Sequence, residues 1–263
     1  MNIVVCAKQV PNTNEVRIDP VKNTLIRDGV PSILNPDDAT ALEAALRLKD
    51  SDPEGTQVTV LTMGPPQASE MLLQCLAMGA DRAVLLSHRA LGGSDTWATS
   101  NALAAAIRKL SPVDLIFAGH QAIDGDTAQV GPQIAEKLDI PQLTCVRNLK
   151  LEQDRLVADR ELDRGYETVS LSMPCLITAV SALGSPRYMN IPDIFRACQA
   201  SIDVWGVEEL GISQELVGLN ASPTKVFRTF TPLAKGAGVR IEGDSAQELA
   251  SHLLSELTAA HII

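Results

Sequence analysis

The sequence predicts an α/β fold, a doubly wound and mainly parallel sheet, on three observations. Short apolar runs alternate with longer segments of helical spacing from the first residues to about residue 140. The runs Asn2 to Ala7 and Val113 to Phe117 are almost continuously apolar, as strands covered on both faces are. The polar and glycine-containing segments between them recur on the same side of each strand, where such sheets keep their ligands.

Taken in order, Asn2 to Ala7 is the first strand and Gln9 to Asn14 a loop. Val16 to Ile18 and Thr24 to Ile26 suggest a small hairpin around Asp19-Pro20. Asn35-Pro36-Asp37-Asp38 starts a helix carrying Ala41, Leu42, Ala45, Leu46 and Leu48, which should end near Lys49. Thr56 to Met63 is a strand stopped by Gly64-Pro65-Pro66, and Gln67 to Met78 a helix closed by Gly79. Ala83 to Leu86, the helix Asp95 to Leu110 and Val113 to Phe117 follow. Beyond Ile140-Pro141 the pattern changes to an antiparallel meander of Thr144 to Leu151, Arg155 to Leu162 and Tyr166 to Leu171. One further apolar strand, Cys175 to Ala179, precedes a short helix through Ala200. From Ser201 core periodicity is lost until Ser245, which with Glu248 forms a capping box ahead of Leu249, Leu253, Leu254 and Leu257. The expected organisation is therefore a nucleotide-binding domain over 1–200 and a C-terminal arm over 201–263 that needs another chain's surface.

The most informative segment is Ala118 to Pro132. A buried strand ends there in a turn with Asp124, Gly125 and Asp126, and a helix is expected to begin with Asp126 as cap and Gln129 three residues on. Free amides at a helix start attract a phosphate or diphosphate. Much chemistry is excluded. The formal charge of -10, with no Lys/Arg block, argues against nucleic acid and anionic lipid. The five cysteines are scattered and contain no C-x-x-C pair, so neither zinc nor a disulfide framework is indicated, and a cytoplasmic setting fits. No apolar leader or membrane span is evident. G-x-G-x-x-G, the P-loop, H-E-x-x-H and G-x-S-x-G are all missing, so no catalytic residues or metal ligands are assigned, and any redox chemistry must come from a cofactor. His120 is the one histidine in the candidate pocket.

Several separated segments resemble the beta subunit of electron transfer flavoprotein. They are Val4 to Val10, Asp28-Gly29-Val30, Asn35-Pro36, Met63-Gly64-Pro65, Leu76 to Arg82, Gly119 to Asp126, and Pro186-Arg187-Tyr188 through Ile191-Pro192. The resemblance covers residues 1–200 and implies a fold of the adenine-nucleotide alpha-hydrolase type, paired with an FAD-carrying alpha subunit as a heterodimer. It implies that Cys6, Ala7, Asn35, Asp38, Met63, Gly119, Gln121, Asp124, Gly125, Asp126, Thr127, Ala128, Gln129 and Val130 line an adenine-nucleotide pocket. The amides of Gly125 to Gln129 would take the phosphates. One branch of the family holds AMP there and another, electron-bifurcating branch holds a second FAD. Asp124 to Pro132 and Gly92 to Ser100 look like the bifurcating branch, with Ser94, Asp95, Thr96 and Thr99 as candidate donors along the flavin. In that branch NADH is the electron donor, and the acceptors are ferredoxin or flavodoxin and, through the alpha subunit, an acyl-CoA dehydrogenase.

The non-bifurcating reading, with structural AMP, stays open beside it. A free-standing nucleotide sensor or ATP-using enzyme is disfavoured because no Ser-Gly-Gly loop follows the first strand. His120 departs from the family pattern, which more often has Lys or Arg there. Tyr188, Met189, Asn190 and Ile191 match the family's dehydrogenase-docking loop, with Ile191 as the anchor; the alternative is that Ile191 is a hydrophobic staple of the following helix.

Overall fold

A computed structural model describes residues 1–12, 31–227, 236 and 238–263. The expected hairpin at 16–26 and the Asp28-Gly29-Val30 motif lie outside the described residues. Two compact units are present, the first reaching Phe227 and the second covering the described residues beyond it.

The first unit contains, in chain order, β1 (Asn2–Cys6), β2 (Gln9–Pro11), β3 (Ser32–Leu34), α1 (Pro36–Ser51), β4 (Gln57–Met63), α2 (Ser69–Met78), β5 (Arg82–Leu86), α3 (Thr96–Leu110), β6 (Leu115–Gly119), α4 (Val130–Leu138), β7 (Gln142–Glu152), β8 (Arg155–Leu162), β9 (Gly165–Ser172), β10 (Cys175–Ala179), α5 (Ile191–Gln199), β11 (Asp203–Trp205), α6 (Val207–Leu210) and α7 (Gly218–Ala221). The main sheet has the order β11-β5-β4-β1-β6-β10-β7-β8-β9. Every pair from β11 to β7 is parallel, and the β7–β8 and β8–β9 pairs are antiparallel.

Alternation along β1 explains the two covered faces. Ile3 and Val5 pack with Leu42 of α1, Leu72 of α2 and Ala197 of α5 on one side. Val4 and Cys6 pack with Leu103 of α3 and Ile134 of α4 on the other. With both faces buried, the strands carry apolar residues at consecutive positions, and that is why they read as unbroken apolar runs. The chain leaves β1 for β4 on one side and returns through α3 to β6 on the other. The switch point of this doubly wound sheet therefore lies between β1 and β6, and their carboxyl ends diverge there.

Three expectations are corrected. Gln9 to Pro11 is not simply loop but pairs antiparallel with Ser32–Leu34. Residues 201–227, expected in the arm, belong with the sheet: Asp203–Trp205 extends it by pairing with Val84 to Leu86, and Arg82 bridges to Asp203 at 2.7 Å. The helix before the meander begins at Val130, not beside Asp126. Asp126 and Ala128 have φ of 48° and 52°, left-handed conformations that stop helix from forming ahead of Gln129.

The described part of the second unit contains α8 (Ala246–Ala259). Ser245 caps it, its hydroxyl accepting from the Glu248 amide at 3.2 Å. The Glu248 carboxylate reaches back to the Asp244 amide at 2.9 Å, one residue beyond the Ser245 amide that a reciprocal box would use.

Candidate functional site

At the switch point the carboxyl ends of β1, β4 and β6 open into a cavity of about 470 Å³. Cys6, Ala7 and Lys8 leave β1 into its floor, Leu61 and Met63 of β4 form an apolar side, and Ala118 to Ala122 continue β6 along its edge. Gly93 to Thr96, Thr99 and Leu103 close it from α3, and Gly125 with Thr127 to Gly131 close it from the approach to α4. Two larger hollows, each about 730 Å³, lie elsewhere: one between α3, α4 and α6, the other at the amino ends of the strands. Neither is at the switch point.

Asp38 holds the divergence open. Its carboxylate accepts from the Lys8 amide and from the Gly119 amide, both at 2.8 Å, and so ties the ends of β1 and β6 to the first turn of α1. Next to it Asn35 is fully buried. The Asn35 side-chain amide donates to the Gln121 carbonyl at 2.9 Å and its oxygen accepts from the Ile123 amide at 3.1 Å. Lys8 reaches Asp124 at 2.6 Å. Thus Asn35 and Asp124 shape the loop rather than line the cavity. Asp126 is likewise absent from the lining, its amide turned to the Ala122 carbonyl at 2.9 Å.

The Gly125 amide also donates to Ala122, at 3.1 Å, so two of the five amides expected to take phosphates are already engaged. Among the described residues nothing accepts from the amides of Thr127, Ala128 or Gln129. Left-handed Ala128 beside right-handed Gln129 is the kind of backbone alternation that groups successive amides into an anion-binding concavity, here at the start of α4. Gly131 lets α4 come close: a β-carbon there would stand 2.7 Å from the Thr178 methyl.

The α3 side is braced to the α4 side. Thr96 donates to the Gln129 side chain at 2.9 Å, and Ser100 to Gln133 at 3.0 Å. Residues 218–224 strap the Gly92 to Asp95 loop from outside. Ser94 accepts from the Gly218 amide at 3.0 Å, and Ser222 accepts from the Asp95 amide at 2.9 Å. One Asp95 oxygen caps α3 by accepting from Ala98 at 3.0 Å, while the other takes the Thr224 amide and hydroxyl at 3.0 and 2.8 Å. The hydroxyls and carboxylate of Ser94, Asp95 and Thr96, expected to face a flavin edge, are thus used within the protein. Among the described residues, Thr99 alone of the four has no side-chain partner. Desolvation works against the Asp95 charge, but these donors outweigh it and hold its pKa below the ordinary range. Asp95→Ala should cost about 1–2 kcal/mol of unfolding free energy in urea titrations, from a lost cap plus a loosened strap. Asp95→Asn should recover part of it.

Burial pushes Asp38 up to about 7 in spite of its amide donors and Asn35, and Asp37 adds to the rise. A free Asp titrates near about 3.9. The folded chain therefore holds this proton more tightly than the unfolded one. The resulting stabilisation is complete below about pH 4 and is lost as pH rises through about 7. Urea unfolding between about pH 5 and 8 should show this decline in the wild type and not in Asp38→Asn; parallel curves would refute it. Cys6, at the cavity floor, is pushed up to about 12 by burial and by Asp38, and so stays a neutral thiol.

A polar cluster anchors a second region. Glu43 of α1 accepts from Arg187 through Nε at 2.8 Å and the amide at 3.1 Å, while Arg187 Nη2 reaches Asp50 at 2.7 Å. The segment following Arg187 projects Tyr188, 98% exposed, Met189, 45%, and Ile191, 70%. Asn190 caps α5 through the Asp193 amide at 2.8 Å. At that exposure Ile191 is not a packed staple.

A sequence model of the electron transfer flavoprotein domain matches residues 22–210. The chain belongs to the electron transfer flavoprotein beta-subunit family. It is 58% identical, over all 263 residues and the whole of both chains, to caffeyl-CoA reductase-Etf complex subunit CarD of Acetobacterium woodii. It is 52% identical, again over the full length of both, to the electron transfer flavoprotein subunit beta of Clostridium acetobutylicum. The acryloyl-CoA reductase electron transfer subunit gamma of Anaerotignum propionicum is 47% identical over the full length of each chain. A role in electron transfer follows from membership of this electron transfer flavoprotein family. Among the described residues no helix is long and apolar enough to cross a membrane.

Of the residues the sequence singled out for a nucleotide, the cavity gathers Cys6, Ala7, Asp38, Met63, Ser94 to Thr96, Thr99, Gly119, Gln121, Gly125 and Thr127 to Val130. Sequence reasoning missed Lys8, Leu61, Gly93, Leu103 and Gly131. Lys8, Gly93 and Gly131 lie inside motifs already marked but are not assigned there to the pocket, whereas Leu61 and Leu103 look like any core leucine.

Proposed function

We propose that the cavity at the β1/β6 switch point holds FAD and that the chain works with an electron transfer flavoprotein alpha subunit as a bifurcating electron carrier. In this reading NADH supplies the electrons, ferredoxin or flavodoxin takes one and an acyl-CoA dehydrogenase takes the other, in a cytoplasmic setting. The observation that carries it is the stretch Thr127 to Gln129, which lines a cavity with an apolar side and from whose amides nothing accepts among the described residues. Orphan amides at a helix start suit a diphosphate, and the side formed by Leu61, Met63 and Leu103 suits a flat aromatic ring system. Bound FAD would accept an electron pair and release single electrons.

The chain's own residues bind and orient. Thr127 to Gln129 would hold the diphosphate, Thr99 would offer a donor along the ring system, and Leu61 and Leu103 would exclude water. A neutral Cys6 keeps charge away from the floor, and Asp38 is without charge below about pH 7. The names of two relatives, which set them beside a caffeyl-CoA reductase and an acryloyl-CoA reductase, support a CoA-ester enzyme as electron partner. Tyr188 to Ile191 would dock that enzyme, and the residues after 227 would embrace the alpha subunit. AMP is a second reading for the same cavity, because about 470 Å³ also accommodates a mononucleotide.

Denaturing the purified alpha–beta complex and counting released nucleotides tests both. Two FAD per heterodimer supports bifurcation, and one FAD with one AMP supports the structural-nucleotide reading. Release of a single FAD and no other nucleotide would refute both.

A further inference from the structure

One nucleophile in the first unit has no part in the function proposed above. Cys145 lies on β7 where the pairing with β10 shifts register, and it is held in a left-handed conformation, φ 55°, with its amide donating to the Thr178 hydroxyl at 3.1 Å. This geometry turns its Sγ to within 3.5 Å of Nδ1 of His120. The His120 backbone is fixed in turn, its amide donating to the Ala179 carbonyl at 2.8 Å, and the residue also lines the cavity. Cys145 is half-buried and within reach of solvent. A thiol next to an imidazole is the arrangement by which proteins generate a nucleophilic thiolate.

The other cysteines differ. Cys6, Cys75 and Cys175 are buried, and burial pushes them up to about 12, 12 and 11. Cys198 on α5 is exposed, and among the described residues it has no basic side chain bonded to it.

We propose that Cys145, with His120 as its proton acceptor, is a modification site that forms a mixed disulfide with small disulfides at the edge of the cavity. The thiol proton passes to His120 Nδ1, and Sγ attacks one sulfur of the incoming disulfide. A new Sγ–S bond forms as the old S–S bond breaks, and the departing thiolate takes the proton back from the imidazole. The small disulfide is the oxidant and one of its halves leaves as a thiol, so atoms and electrons balance. The adduct then stands one side chain away from the cavity.

The test treats the full chain with glutathione disulfide, quenches at timed intervals and maps adducts by peptide mass. The Cys145 adduct should form about tenfold faster than the Cys198 adduct, although Cys198 is the more exposed, and His120→Gln should slow Cys145 about tenfold while leaving Cys198 unchanged. Equal or faster reaction at Cys198, or an unchanged Cys145 rate in His120→Gln, would overturn the proposal. The comparison of the two cysteines in the wild type needs no variant, and it decides the matter if His120→Gln fails to fold.

Discussion

Gly119→Ala is expected to destabilise the chain by about 3 kcal/mol or more, measured by urea unfolding. A β-carbon at Gly119 would lie 2.4 Å from an Asp38 oxygen, 2.8 Å from the Asp38 amide nitrogen and 2.8 Å from the Asp37 β-carbon. Two of these three atoms belong to the backbone or the base of a side chain and cannot rotate away. The first turn of α1 must retreat from β6, and the buried Asp38 carboxyl then loses the Gly119 amide that it accepts. The same retreat opens the cavity floor, so nucleotide retention should fall along with stability. Gly125→Ala is the control. Nothing lies within 4 Å of a β-carbon there, so stability should change by less than about 0.5 kcal/mol. Any loss of nucleotide in that variant would then report on the cavity alone.

Arg187→Ala is expected to cost about 2–3 kcal/mol. The Glu43 side chain is only 7% exposed. Desolvation pushes its carboxyl up, but the hydrogen bonds from Arg187 and Arg47 more than reverse this and hold it below the ordinary range. Without Arg187 it keeps only Arg47, whose side chain is 53% exposed, and so it becomes a buried charge with a poorly fixed partner. Arg187→Lys should restore little, because an ammonium cannot span Glu43 and Asp50 as the fork does. Glu43→Gln/Arg187→Ala should be more stable than Arg187→Ala alone, since no buried unpaired charge remains; Asp50 and Arg47, which also lose a partner, are exposed. If the double variant is no better, the network is not what anchors this segment. The same substitution should weaken capture of an acyl-CoA dehydrogenase if Tyr188 to Ile191 dock it.

The alternation of strand and helix was legible because each central strand is covered on both faces, and because most helices begin at an acidic or proline-marked turn, as at Pro36 and Asp95. The meander was legible from its turn residues, Gly165 with φ of 106° among them. Strand β11 was not: it has three residues, and Val204 at its centre is 57% exposed, so it has neither length nor an apolar pattern. The turn before α4 is not legible for a different reason. Left-handed backbone there falls on Asp126 and Ala128, while Gly125, the residue that marks such turns in a sequence, has no positive φ. Asp126 is the residue type that usually caps helices, and only the fold reveals that its amide is turned back to Ala122.

The cavity was legible as a rim of polar loops, since parallel strands bring their carboxyl ends to one side. The roles within it were not. Asn35, Asp38, Ser94 and Asp95 look like ligand donors in a sequence, and in the structure they satisfy backbone groups of neighbouring loops. Those bonds join residues 30 to 129 positions apart, and no local pattern encodes partners at that distance.

A crystal structure of the heterodimer purified with its natural contents tests the central claim most directly. Flavin should fill the space between Met63, Thr99 and Gly119, with its diphosphate against the amides of Thr127 to Gln129. A cavity closed by side chains, or a nucleotide whose phosphates turn away from those amides, would contradict it.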